Sequence, residues 1–143
     1  MQWTHKDQPI SELPKDCVGF VYLITNTVSS RMYVGKKLSK FKTTRYKMHT
    51  QKNGKKVRKK IRGAVDSGWQ DYYGSSDQLN RDLQALGRDK FRREILYYCK
   101  SKAELNYIEA REQFARKVLE SDQYYNGHIR VRVHGSLIID KKL

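Results

Sequence analysis

The sequence is poor in the residues that staple, break or bury a chain. Of 143 residues only two are cysteine and two are proline. Cys17 and Cys99 lie far apart and carry neither a CxxC nor a histidine spacing, so no zinc pattern and no disulfide framework can be read, and a reducing compartment is expected. No apolar run approaches bilayer length and nothing resembles a secretory h-region, so a membrane partner is not expected and a cytoplasmic location is. The most telling shortage is of acid. No Asp or Glu occurs between Asp16 and Asp66, while lysines and arginines crowd that interval.

What is present follows from that imbalance. The formal charge is +15, and a block of one sign meets a polyanion readily, because each neutralised phosphate releases counterions and supplies affinity without reading sequence. The bland reading of the same block is a solvated, disordered loop. The length suits one domain with tails.

Residues 1–15 are polar and interrupted by Pro9 and Pro14, which predicts an N-terminal arm. The domain is expected over residues 16–127. Cys17 to Thr25 and Arg31 to Gly35 are β-branched and aromatic runs separated by a polar turn, a predicted hairpin. Residues 36–62 show no sustained apolar stripe and read as a long basic insertion, with a short helix around Thr43 to Gln51. Leu79, Leu83 and Leu86 recur at helical spacing between Ser75 or Ser76 as N-cap and Gly87 as stop. Phe91 to Cys99 suits a third strand. Ser101 and Glu104 form a capping box for a helix running to about Glu120. Residues 128–143 form a C-terminal tail in which an alternating stretch is a candidate strand. The order implies an α+β domain, a small, mostly antiparallel three-stranded sheet flanked by helices.

Tyr22, within Gly19-Phe20-Val21-Tyr22, and Tyr33, within Tyr33-Val34-Gly35, fall on the two strands of the predicted hairpin. Such tyrosines are also common because aromatic side chains fit a half-buried pleated surface. Arg45 and His49, four residues apart, would share one face of a helix. Ala110-Arg111-Glu112-Gln113-Phe114 sits on the second predicted helix, and Tyr125-Asn126 follows it.

In that order these segments resemble the GIY-YIG nucleases, over about Gly19 to Asn126. Asp71-Tyr72-Tyr73-Gly74-Ser75, preceded by a basic insertion, is most similar to the free-standing phage-type members, including homing endonucleases, which would place the chain in a host cell's cytoplasm. The resemblance implies a metal-dependent DNA endonuclease. It makes Tyr33 the base or base relay, with Tyr22 positioning, Arg45 clamping the phosphate and His49 available as a relay. Glu112 would hold one Mg²⁺ or Mn²⁺, with Glu109 as the alternative ligand. Gly35 and Asn126 are expected to be auxiliary.

A lone carboxylate suffices where a hard cation keeps several waters and takes further oxygens from the substrate. Tyrosine, with an ordinary pKa of about 10, needs nearby positive charge or a relay to act as a base. The expected phosphate contacts are Lys36, Lys40, Lys42, Lys47, Lys55, Lys56, Arg58, Lys59, Lys60 and Arg62. About six to ten such contacts would make binding fall roughly a thousandfold or more between low and moderately high salt. The partner expected is DNA, bound by a monomer or a homodimer. The competing reading is a non-catalytic basic nucleic-acid-binding protein, which accounts for the charge and the tyrosines but not for the order of the motifs.

Overall fold

The structure, a computed structural model, describes residues 1–138. Its centre is β3 (Gly19–Asn26), every residue of which is buried. The run is β-branched and aromatic without polar alternation, as a strand covered on both faces must be. It pairs antiparallel with β4 (Met32–Leu38) and with β7 (Phe91–Cys99), the three strands expected from the sequence. The pairing with β7 shifts register between Val21 and Tyr22, a bulge beside the first motif tyrosine.

The expected three-stranded sheet needs correcting. The first residues do not hang free: β1 (Trp3–His5) pairs parallel with β7, and β2 (Gln8–Pro9) pairs with β1, giving a mixed sheet in the order β2-β1-β7-β3-β4. The cause is long-range packing. Trp3 is 1 % exposed, stands edge-on to Phe20 and Tyr22, and donates its indole N–H to the Trp69 carbonyl. Buried Arg93 on β7 donates to the carbonyls of Met1, Gln70 and Tyr72 while lying over the Trp3 and Tyr73 rings. One guanidinium thereby fastens the N-terminus, the loop after residue 69 and the sheet together.

Two helices close the two faces. Helix α1 (Asp77–Leu86) begins at Ser76, whose Oγ accepts from the Leu79 N–H, and stops at Gly87. Its Leu79 enters a core with Tyr22, Ile24, Phe91 and Tyr125. Helix α2 (Lys102–Ala115) begins at Ser101, whose Oγ accepts from the Glu104 N–H, and packs Leu105 and Ile108 against Val21, Leu23 and Val34 on the other face. It ends before Glu120, because Lys117 turns left-handed and a 3₁₀ turn over Val118–Glu120 takes its place.

The basic segment is neither a loop nor helical. β5 (Lys40–Thr50) and β6 (Lys56–Asp66) pair along eleven partners as an isolated two-stranded ribbon, exposed almost throughout. The turn contains Asn53-Gly54, with Gly54 at φ 83, a pair that favours tight hairpins because both positions tolerate left-handed backbone. Val57, Ile61 and Val65 fall at spacings of four, which fit one face of a strand or of a helix alike; the continuous cross-strand pairing decides for the strand. In the tail no strand forms up to residue 138, where the structure has a 3₁₀ turn at Gly135–Leu137; the remainder of the expected strand lies outside the described residues.

Candidate active site

The chemistry-bearing residues gather at the free edge of β4. A cavity of about 560 Å³ is lined there by Tyr22, Tyr33, Lys36, Ser75, Arg81, Glu109, Gln113, Asn126, His128 and Arg130, among others. Because successive residues of a strand point to opposite faces, β4 sends Tyr33 toward the α1 side and Lys36 toward the α2 side. The cavity therefore wraps around the strand and draws on both layers.

Tyr22 lies opposite Gly35 in the β3–β4 register. A Cβ at residue 35 would intrude on the Tyr22 hydroxyl and lie 2.9 Å from Tyr33 Cε1, so glycine is what lets the two phenols approach. Their rings are 6.1 Å apart. Burial, with Tyr72 and Tyr33 as neighbours, holds the Tyr22 phenol well above its ordinary pKa and keeps it neutral. Burial also raises Tyr33, and a hydrogen bond with Ser75 pulls the other way; the two hydroxyls are 3.1 Å apart. Gly74, at φ +92, makes the turn that delivers Ser75.

On the other side Glu109 and Lys36 form an ion pair at 3.7 Å, and Lys36 also donates to the Asn106 carboxamide oxygen. Burial raises the Glu109 carboxyl and Lys36 opposes that shift. Glu109 and Gln113 are one turn apart on α2 and line the same cavity. Gln113 donates Nε2 to the Val34 carbonyl, leaving its buried Oε1 without a hydrogen-bond partner. Asn126 grips the edge strand more completely: Oδ1 accepts from the Val34 N–H at 3.1 Å and Nδ2 donates to the Val34 carbonyl at 2.8 Å. A side-chain amide thus takes the part of a neighbouring strand, and the backbone bridge of Met32 to Tyr124 extends the seal.

The expected site residues divide. Tyr22, Tyr33, Lys36, Gly35 and Asn126 come together at this edge. Glu112 does not line the cavity; it pairs with Arg116 at 3.4 Å, one turn along α2. Glu109, the alternative acid, is the one that faces Lys36. Arg45 and His49 lie exposed on β5, outside the cavity lining, with the other ribbon cations. They were expected on a helix, and the strand they occupy carries them onto the ribbon.

Ser75, Arg81, His128 and Arg130 escaped the sequence reading. Arg81 could have been found: with Leu79 and Leu83 fixing the buried stripe of α1, it falls on the polar face. Nothing local marks Arg130.

Among the described residues no group of three or more His, Cys, Asp or Glu is placed to hold a metal ion, and no helix is long and apolar enough to cross a membrane. The donor set fits a hard cation of the kind that keeps most of its waters: one carboxylate, Glu109, in a cavity with room for solvent.

No curated protein and no solved structure matches the chain. A family model described as "Putative endonuclease segE, GIY-YIG domain" matches residues 3–129, which includes every element around the cavity. The chain belongs to this GIY-YIG family of endonucleases, phosphodiester hydrolases.

Proposed function

We propose that the protein is a divalent-metal-dependent DNA endonuclease, of the kind found among free-standing phage homing enzymes, whose reaction centre is the cavity at the β4 edge. The observation that carries this reading is the convergence of Tyr33, Lys36, Arg81 and Glu109 on one open cavity, from one strand and two helices.

Hydrolysis of a phosphodiester requires a nucleophilic water that loses its proton, balance for charge growing on the phosphate oxygens, and stabilisation of the leaving oxygen. Tyr33, tethered to Ser75, orients the water and takes its proton. Burial raises the Tyr33 pKa and leaves little of the proton-accepting phenolate at neutral pH, so positive charge brought into the cavity, which favours loss of the phenol's own proton, is part of its activation. Tyr22, neutral and rigid, fixes the position of Tyr33. Arg81 takes the phosphate clamp expected of Arg45, with Arg130 lining the same cavity. His128 is the cavity's imidazole and replaces His49 as the relay candidate.

Glu109 holds Mg²⁺ or Mn²⁺ in preference to Glu112, because Glu109 lines the cavity and Glu112 does not. When bound, the cation supplies charge that offsets the developing oxyanion. Lys36 opposes the rise that burial imposes on the Glu109 carboxyl and so favours the ionised form that a cation needs.

Cleavage of supercoiled plasmid tests the assignment. Expected is nicking with Mg²⁺ or Mn²⁺, none in EDTA, a loss of about a hundredfold or more in Tyr33→Phe and Glu109→Gln, and near-normal cutting in Glu112→Gln. Cutting that survives Glu109→Gln and dies in Glu112→Gln would reverse the choice of ligand. Binding without cutting under every condition would favour a module that holds nucleic acid and does no chemistry.

A further inference from the structure

The β5–β6 ribbon is the one large element that the core does not use. Between Lys40 and Asp66 it carries eight lysines and three arginines against a single acid, a balance of +10 in a chain of +15. None of those eleven cations takes part in an ion pair among the described residues. Lys47 even stands directly opposite Lys59, an arrangement that costs stability unless a partner supplies the counter-charge.

The register sorts these cations. Cross-strand partners share a face and neighbours along a strand alternate, so Thr44↔Arg62, Tyr46↔Lys60, Met48↔Arg58 and Thr50↔Lys56 fall on one side with Lys40 and Lys42. That face holds Lys40, Lys42, Lys56, Arg58, Lys60 and Arg62, with the ribbon's one acid, Asp66, at its root opposite Lys40. The opposite face holds three, Arg45, Lys47 and Lys59, among Phe41, Val57, Ile61 and Val65. Charge is concentrated on one face of this two-stranded blade.

Dimensions and chemistry select the partner. Eleven residues per strand make a blade roughly 35 Å long, about one turn of B-DNA, and a two-stranded ribbon fits a major groove about 12 Å wide. The deep, narrow major groove of an RNA helix would not admit it. A single strand is bound chiefly by stacking on open aromatic rings. The cationic face offers only Tyr46, already covered by the Arg58 guanidinium at 4.3 Å.

The root of the blade is tied to the cavity. Lys37 sits between the Phe41 ring, at 4.8 Å, and the Tyr72 ring, at 4.2 Å, and Tyr72 packs on Tyr22 at 5.8 Å.

We propose that the cationic face of the β5–β6 ribbon lies in the major groove of duplex DNA and holds the substrate there, about one helical turn of contact reaching away from the cavity. This rests on the endonuclease reading and adds the form of the substrate and the surface that grips it.

Two charge-matched triple variants of the full chain test it: Arg58→Gln with Lys60→Gln and Arg62→Gln on the cationic face, and Arg45→Gln with Lys47→Gln and Lys59→Gln on the other. Each is made in a Tyr33→Phe background, so that binding is read without cutting. Fluorescence anisotropy on a short DNA duplex across salt concentrations is expected to show the first triple losing about thirtyfold in affinity and about 2.7 from the salt slope, since each lost phosphate contact removes about 0.9. The second triple should lose about threefold. Wild-type ribbon contact should also shield guanine N7 from dimethyl sulfate over about one turn, and duplex RNA and single-stranded DNA should bind at least about tenfold more weakly.

All six positions are exposed, so neither triple should lower the thermal unfolding midpoint; the single reversals Lys60→Glu and Lys47→Glu, one on each face, provide the same comparison if a triple fails to fold. Equal losses in the two triples, unshielded N7 positions, or single strands bound as tightly as duplex would overturn the proposal. A protein that cuts plasmid yet gives any of those results sinks this inference alone. Groove binding by a protein that never cuts would sink the nuclease reading alone.

Discussion

Tyr33 and Ser75 meet hydroxyl to hydroxyl at 3.1 Å across 42 positions of sequence. The contact offsets part of the upward pull that burial exerts on the Tyr33 phenol. Removing it in Ser75→Ala should raise the Tyr33 pKa further. Where Tyr33 must accept a proton, the rising limb of the pH–rate profile then moves to higher pH. The rate at neutral pH should fall by about three- to tenfold, because the share of phenolate drops about tenfold for each pH unit below the pKa. Plasmid nicking followed from pH 6 to 10 (about one point per half unit) would show it. An unshifted limb with a uniformly lower rate would mean that Ser75 serves only the fold.

Lys36 opposes the rise that burial imposes on Glu109. In Lys36→Met the carboxyl should therefore hold its proton to higher pH, and a cation that competes with that proton should bind more weakly on the acid side of neutrality. Mn²⁺ titration followed by electron paramagnetic resonance at several pH values reads this directly. Tighter Mn²⁺ binding at every pH would show instead that Lys36 repels the cation more than it prepares the ligand.

Asn126 holds both backbone groups of Val34. Asn126→Leu would leave a buried N–H without its acceptor, at a cost of about 1–3 kcal/mol. Urea unfolding should show a lower midpoint with an unchanged slope. The loss in cutting should exceed the loss in folded fraction, because Tyr33 and Lys36 flank Val34 on the same strand.

Gly35 faces Tyr22 so closely that a methyl group has no room. Gly35→Ala should destabilise by about 1–3 kcal/mol, the usual range for overpacking. Combining it with Tyr22→Phe, which removes the hydroxyl but leaves the ring, should recover part of that loss. A double-mutant cycle with no coupling would place the strain elsewhere.

The three central strands and both helices were readable because their signals are local: apolar runs of strand length, serines at N-caps, Gly87 as a stop. The site was half readable for the same reason. Tyr22, Tyr33, Gly35 and Asn126 announce themselves by order, whereas the choice between Glu109 and Glu112 depends on which turn of α2 meets Lys36, a fact of packing. The N-terminal strand was hidden because Trp3 finds Phe20, Tyr22 and Trp69 only in the folded chain. The ribbon was hidden by its own charge: with no buried face it has no clean hydrophobic alternation, and Asn53-Gly54 was the turn signal left to read.

The amide clamp of Asn126 on the edge strand has a meaning for timing. Two of the residues that would do chemistry sit on a strand whose outer side is closed by a segment made more than ninety positions later. While the chain is still being synthesised, β4 can pair with β3 but keeps one flank open until Asn126 has been made. The edge that carries Tyr33 and Lys36 is thus completed late in synthesis, by a side chain that stands in for the strand β4 lacks.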